Sequence, residues 1–160
     1  MLKRFLVVLA GVCAMCAPSA EAAEQAPFRA GAAKSNITPP LGEPIIGGFH
    51  PFPATHVHDE LWAKCLVLES GTTRVALVVC DLLGLSRGLC DEARRLVQQE
   101  TGLPASHVLV SATHTHSACS ALGERYNLTA GLNPYQQFVA RRVADAVRCA
   151  VNNLEPAKIG

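Results

Sequence analysis

The sequence predicts a mixed β-sheet flanked by helices, an α/β fold with α+β as the alternative. Three observations carry this expectation. Apolar, β-branched runs of strand length recur along the chain, two other stretches place apolar residues at helical spacing, and strands alternate with helices. With 49% hydrophobic and 17% charged residues among 160, the composition is globular rather than disordered, and one compact domain is the ceiling for that length.

Each element has its own signal. "FRAGAAKSNITPPLG" begins as a short strand and is stopped by Pro39, Pro40 and Gly42. The stretch from Glu43 to about Glu60, rich in Gly, Pro and His, reads as a long loop of the kind that carries function. "LWAKCLVLES" and "TTRVALVVCD" flank Gly71 as the two arms of a hairpin. The second arm is nearly continuous in Val, Ala and Leu, which predicts a strand covered on both faces. In "SRGLCDEARRLVQQE", Leu89, Ala93, Leu96 and Val97 share one helical face and Gly102 stops the helix. "HVLVSA" is the next strand. In "NPYQQFVARRVADAVRCAVNNL", Asn133 is the N-cap, Pro134 takes the first helical position, and Tyr135, Phe138, Val139, Val143, Val147 and Val151 form a stripe. "EPAKIG" reads as a further strand with no partner in view.

The first 22 residues, "MLKRFLVVLAGVCAMCAPSAEA", run from Lys3 and Arg4 through an apolar stretch to an Ala20-Glu21-Ala22 cleavage pattern, so residues 1–22 are expected to be a secretory signal peptide and 23–160 the exported chain, periplasmic or extracellular. The apolar run is shorter than the ~20 residues a membrane span requires. Val12 stands where a lipoprotein box would need cysteine. Removing Lys3, Arg4 and Glu21 from 14 basic and 13 acidic residues leaves 12 of each, a net charge of zero. With no basic patch either, nucleic acid is excluded as a partner. Five cysteines remain, an odd number with no C-x-x-C spacing, which argues against a zinc ribbon or a thioredoxin-like site. Cys65 and Cys80 fall within strand runs, as small buried hydrophobes do.

Four of the six histidines form two H-x-H pairs, His56 with His58 and His114 with His116. In extended chain, residues i and i+2 project from the same face, so each pair can aim two imidazoles at one point. Catalytic zinc takes three protein ligands and keeps a position for water, so H-x-H needs help from elsewhere. Asp59 lies beside the first pair, and Asp81 lies at the carboxyl end of a buried strand, the edge where open α/β sheets place their sites. The same histidines, with Thr115 and Ser117, could instead hydrogen-bond loop backbone. His107 and His50 read as structural. No G-x-S-x-G elbow supports a serine hydrolase, and Cys119 as a thiol nucleophile beside His116 leaves the paired histidines unexplained.

The order of four pieces, "AGAAKSNITPPLG", "HVHDELWAKCLVLE", "RVALVVCDLLGL" and "VLVSATHTHSA", resembles the start of the neutral (alkaline, non-lysosomal) ceramidase family. The resemblance covers roughly Gly31 to Ser117, with the helix after Asn133 in a matching place. It implies an exported zinc amidohydrolase that cleaves the N-acyl bond of ceramide, a lipid amide whose substrate class is compatible with peripheral membrane contact. Carried over by motif, His114 is a zinc ligand and His116 assists at the scissile amide; His56, His58, Asp59, Asp81 and Ser117 stand beside them, from spacing and position alone, as candidate cleft or supporting residues. The chain departs from the family where Ala118, Cys119 and Ser120 follow H-T-H-S in place of Gly and Pro. The resemblance also puts the family's remaining zinc ligands beyond residue 160, so the chain corresponds to the N-terminal part of a larger catalytic domain. The alternative from another class is an exported non-catalytic remnant or a metal-binding module.

Overall fold

Strand β1 (Arg29–Asn36) alternates as its sequence does: Gly31 and Ser35 face inward, Ala32 and Lys34 outward. The computed structural model describes residues 27–48, 50–123 and 131–160, so the expected signal peptide lies outside the described residues. The long loop that follows β1 contains a minimal ribbon, β2 (Pro44–Ile45) with β3 (Phe52–Pro53). Strands β4 (Trp62–Ser70) and β5 (Thr73–Cys80) form the expected hairpin, and Gly71 takes the positive φ, 58°, that its tight turn demands.

Helix α1 (Arg87–Thr101) starts where Ser86 Oγ accepts the Leu89 amide at 3.2 Å and stops at Gly102, whose φ is 70°. It buries Leu89, Cys90, Ala93 and Val97. A single 3-10 turn (Ala105–His107) leads into β6 (Val108–Ala112). Helix α2 (Pro134–Asn152) opens on a full capping box, with Asn133 Oδ1 accepting the Gln136 amide and Gln136 Oε1 accepting the Asn133 amide. Its buried face includes Tyr135, Val139, Val143 and Val147, as expected, together with Ala140, Ala144, Ala146, Ala150 and Gln136. Phe138 is 39% exposed, on the far side of that stripe. The alanines explain why: they let α2 lie so close to the sheet that a Cβ on Gly31 would sit 2.1 Å from the Ala150 carbonyl oxygen. A stripe of large residues through Phe138 would hold the helix off.

The sheet order is β6-β5-β4-β1-β7, where β7 (Glu155–Pro156) pairs antiparallel with β1. The "EPAKIG" strand therefore has a partner, and it is the first strand of the chain. Only β5 and β6 run parallel, connected through α1; the other pairs are antiparallel, which makes the sheet mixed and the fold α+β. The two helices pack on each other and on the same face of the sheet, where Ala63, Cys65, Val67, Ala76, Val78, Cys80 and Val110 complete the core. One expectation fails here. Among the described residues β5 is covered on one face only, and Leu77 and Val79 on its other face are 38% and 39% exposed. No described helix is long and apolar enough to cross a membrane.

Candidate metal centre

Because β5 and β6 are parallel, with Cys80 opposite Ala112, their carboxyl ends open onto the same edge of the sheet. The two segments that leave this edge, 81–86 and 113–122, are laced together by backbone hydrogen bonds. Thr113 N donates to Cys80 O at 3.0 Å, Ala121 N to Gly84 O at 3.0 Å and Ser86 N to Ala121 O at 3.1 Å. Buried Gln136 on α2 adds Nε2 donations to Ala121 O (2.9 Å) and Ser86 Oγ (3.2 Å). The histidine loop is thus anchored at both ends by satisfied polar contacts, and its middle projects from a fixed base.

His114 and His116 occupy that middle. Their ring centroids are 5.0 Å apart with planes inclined at 73°. The two rings thus lie close together, and strand geometry does not produce this: β6 ends at Ala112, and His114 has a φ of 60°. A left-handed backbone is costly for a residue with a Cβ, so the turn is held by its surroundings. One of them is Leu83, whose carbonyl oxygen lies 2.9 Å from His114 Nδ1. A carbonyl only accepts, so Nδ1 carries the proton, and in the neutral ring the Nε2 lone pair is free. Metal-binding histidines are commonly oriented by this kind of backbone contact. Both imidazoles are exposed.

The long loop meets this site through a residue the sequence reading passed over. A Cβ on Gly47 would lie 2.1 Å from the His116 carbonyl oxygen and 2.3 Å from its Cα, so only glycine lets the segment after β2 pass here. Ile45 also bridges to Cys119. The Gly47-Gly48 pair was the available signal. Leu83 gave none, because its contribution is a backbone oxygen.

The other candidates are placed apart. His58 Nδ1 contacts Asp59 Oδ2 at 2.8 Å, and His56 Nδ1 contacts Thr55 Oγ1 at 3.3 Å, both on the exposed stretch before β4. Asp81 is engaged at the sheet edge, accepting from Trp62 N at 3.1 Å and from Lys64 Nζ at 2.9 Å. Ser117 lies exposed in the turn after His116. His107 is held by the Arg74 carbonyl at 2.9 Å, a structural contact as expected. His50 lies exposed in the long loop. Among the described residues no three His, Cys, Asp or Glu side chains converge. The donor chemistry of His114 and His116 suits zinc, and this stretch supplies at most two of the three protein ligands of a catalytic site.

Cys119 is unsuited to nucleophilic work. It is 3% exposed, and burial holds its thiol above the usual value, which disfavours the reactive thiolate. Next to it Tyr135 Oη donates to Ile37 O at 2.7 Å, tying α2 to the end of β1; burial pushes the phenol upward as well. A groove of about 650 Å³ runs beside β6 between Arg87, Arg94, His107 and Leu109 and includes neither His114 nor His116.

No family model matches the chain. Two solved structures share its fold. One is the neutral ceramidase from Pseudomonas aeruginosa, with a TM-score of 0.69 and 23% identity over 81% of this chain. The other is a ceramidase complexed with C2, with a TM-score of 0.65 and 22% identity over the same share. In both cases the chain spans only 22% of the length of the solved protein. The resemblance read from the motifs is therefore matched in three dimensions: the chain carries the fold of a part of neutral ceramidase.

Proposed function

We propose that this chain is the histidine-bearing part of a zinc-dependent amidohydrolase that splits the N-acyl bond of a ceramide-like lipid. The observation that carries the reading is the contact of His114 Nδ1 with the Leu83 carbonyl, 2.9 Å away on an anchored loop. It leaves Nε2 free in a ring already oriented, as a ligand requires. Zinc, where bound, supplies a water acidified to a pKa of ~7 and polarises the amide carbonyl. His114 holds the metal. His116, its ring 5.0 Å away, is placed to move the proton from the attacking water to the departing amine, so that amide and water become sphingoid amine and fatty acid. Residues 1–22 deliver the chain out of the cytoplasm, where lipid amides of an outer leaflet are accessible by peripheral contact.

A second reading draws support from the described residues, which offer no third ligand: the chain alone is a metal-binding module without turnover. One experiment separates them. Zinc per chain is measured in the purified protein and in His114→Ala, and both are assayed on an N-acyl sphingoid amide after complementation with the remaining part of a ceramidase catalytic domain. Zinc lost in the variant, with hydrolysis by the parent, is the expected result for the hydrolase. Zinc lost without any hydrolysis leaves the module. Equal zinc in parent and variant would sink both.

A further inference from the structure

Gln136 does more on α2 than cap it. Its side chain is buried, and both of its polar ends are engaged. Oε1 accepts the Asn133 amide at 2.9 Å, closing the capping box and fixing the rotation of the side-chain amide. Nε2 is thereby turned toward the two segments that leave the sheet edge. It donates to the Ala121 carbonyl oxygen in the histidine loop at 2.9 Å and to Ser86 Oγ, at the end of the segment that carries Leu83, at 3.2 Å. A capping box takes Glu or Gln at this position, because it needs only an acceptor there. The contacts to Ala121 and Ser86 need donors, which Gln has and an ionised Glu lacks.

We infer that Gln136 is a positioning residue for His114, an inference that rests on the metal-holding role proposed for that histidine. The path between them is short. Ala121 O also accepts Ser86 N at 3.1 Å and Ala121 N donates to Gly84 O at 3.0 Å, so the Gln136 amide clamps the point where the two segments are already joined. Leu83 precedes Gly84 and is itself held by the histidine loop: its N–H donates to Cys119 O at 3.4 Å, and its carbonyl oxygen meets His114 Nδ1 at 2.9 Å. Ser86, Ala121 and Gln136 are all buried, and away from water a lost donor is not replaced. With the clamp closed, the Leu83 oxygen keeps the proton on Nδ1 and leaves Nε2 bare for a metal. With the clamp open, oxygen and ring part, the second tautomer becomes populated, and metal affinity falls.

The test compares substitutions in the full chain. Gln136→Glu keeps the acceptor of the capping box and removes the donors, whereas Asn133→Ala removes the cap's own side chain and leaves the donors in place. Gln136→Met, of similar length and with neither charge nor donor, is measured beside them and carries the same expectation if the Glu variant does not fold. In the zinc-free chain at about pH 8, where the ring is neutral, the imidazole nitrogen signals of His114 in NMR are expected to show a protonated Nδ1 in the parent and in Asn133→Ala, and a mixture of tautomers in the Gln136 variants. Zinc dissociation constants from chelator competition are expected to rise roughly tenfold in the Gln136 variants and to stay within about twofold of the parent in Asn133→Ala, although all of them melt below the parent. A purely structural Gln136 would instead make both readouts follow the melting temperature. His114 signals that match the parent in both Gln136 variants would overturn the proposal, as would equal changes in Asn133→Ala. A parent that binds no zinc would sink the metal reading, while the tautomer signals still decide the role of Gln136.

Discussion

The two faces of one sheet show how little separates a core from a surface in this chain. Val78 and Val79 are neighbours on β5 with the same side chain, yet Val78 is 0% exposed against α2 and Val79 is 39% exposed on the opposite face. The covered face is stabilised by a helix whose alanines allow close approach; the open face carries apolar residues of its own, Leu66, Leu77, Val79 and Leu109, and no cover among the described residues. Apolar content therefore reports what a strand can bury, and the layers actually present decide what it does bury.

Charging the two neighbours should break the symmetry most strongly. Val78→Asp places an unpaired carboxylate in the core and is expected to cost more than ~4 kcal/mol, leaving little folded protein, whereas Val79→Asp should stay within about 1 kcal/mol of the parent. Urea unfolding followed by circular dichroism reads both, and equal losses would refute the one-sided core. Within the covered side, Tyr135→Phe removes the donor to Ile37 O and leaves a buried carbonyl unsatisfied, for an expected loss of about 1–2 kcal/mol in the same experiment. A loss near zero would mean that the contact contributes nothing.

At the edge between the faces, His114→Gly relieves a left-handed backbone while deleting the proposed ligand. Stability should be unchanged or raised by up to ~1 kcal/mol as zinc is lost, the pattern of strain kept for function. A destabilised glycine variant would show that the ring's contact with Leu83 outweighs the strain.

The smallest effect is electrostatic. At one end of the covered face, hydrogen bonds from Arg74, joined by Arg29, hold the Glu69 carboxyl below its ordinary value. A lowered folded-state value stabilises above the unfolded pKa of roughly 4.3, and that contribution is lost as pH falls through the folded value. Glu69→Gln should accordingly flatten the fall in urea midpoint below about pH 4 and leave its slope near pH 7 unchanged. An identical acid limb in parent and variant would remove Glu69 from the account.

Much of the architecture was legible because its causes are local. Ser86 and Gly102 bound α1, Asn133 and Pro134 open α2, and Gly71 turns the hairpin, each by a capping or turn rule acting over a few residues. The site was legible in its residue types, since two imidazoles after an apolar strand are a local pattern too. Their orientation was not. It comes from the Leu83 oxygen, a group every residue carries, from the glycine at position 47 and from a φ that no spacing reveals. Phe138 was misplaced because its helical spacing fitted the stripe, while the close seat of α2 favoured alanines.

By itself, then, the sequence determined the elements, their limits and the presence of an H-x-H loop at a strand's end, because dihedral preferences, caps and apolar periodicity act within a few residues. Only the tertiary structure decided that β1 lies between β4 and β7, that both helices share one face while the other stays open, and that His114 turns left-handed against Leu83. Those outcomes depend on which surfaces meet across long stretches of chain, and no local preference encodes that meeting.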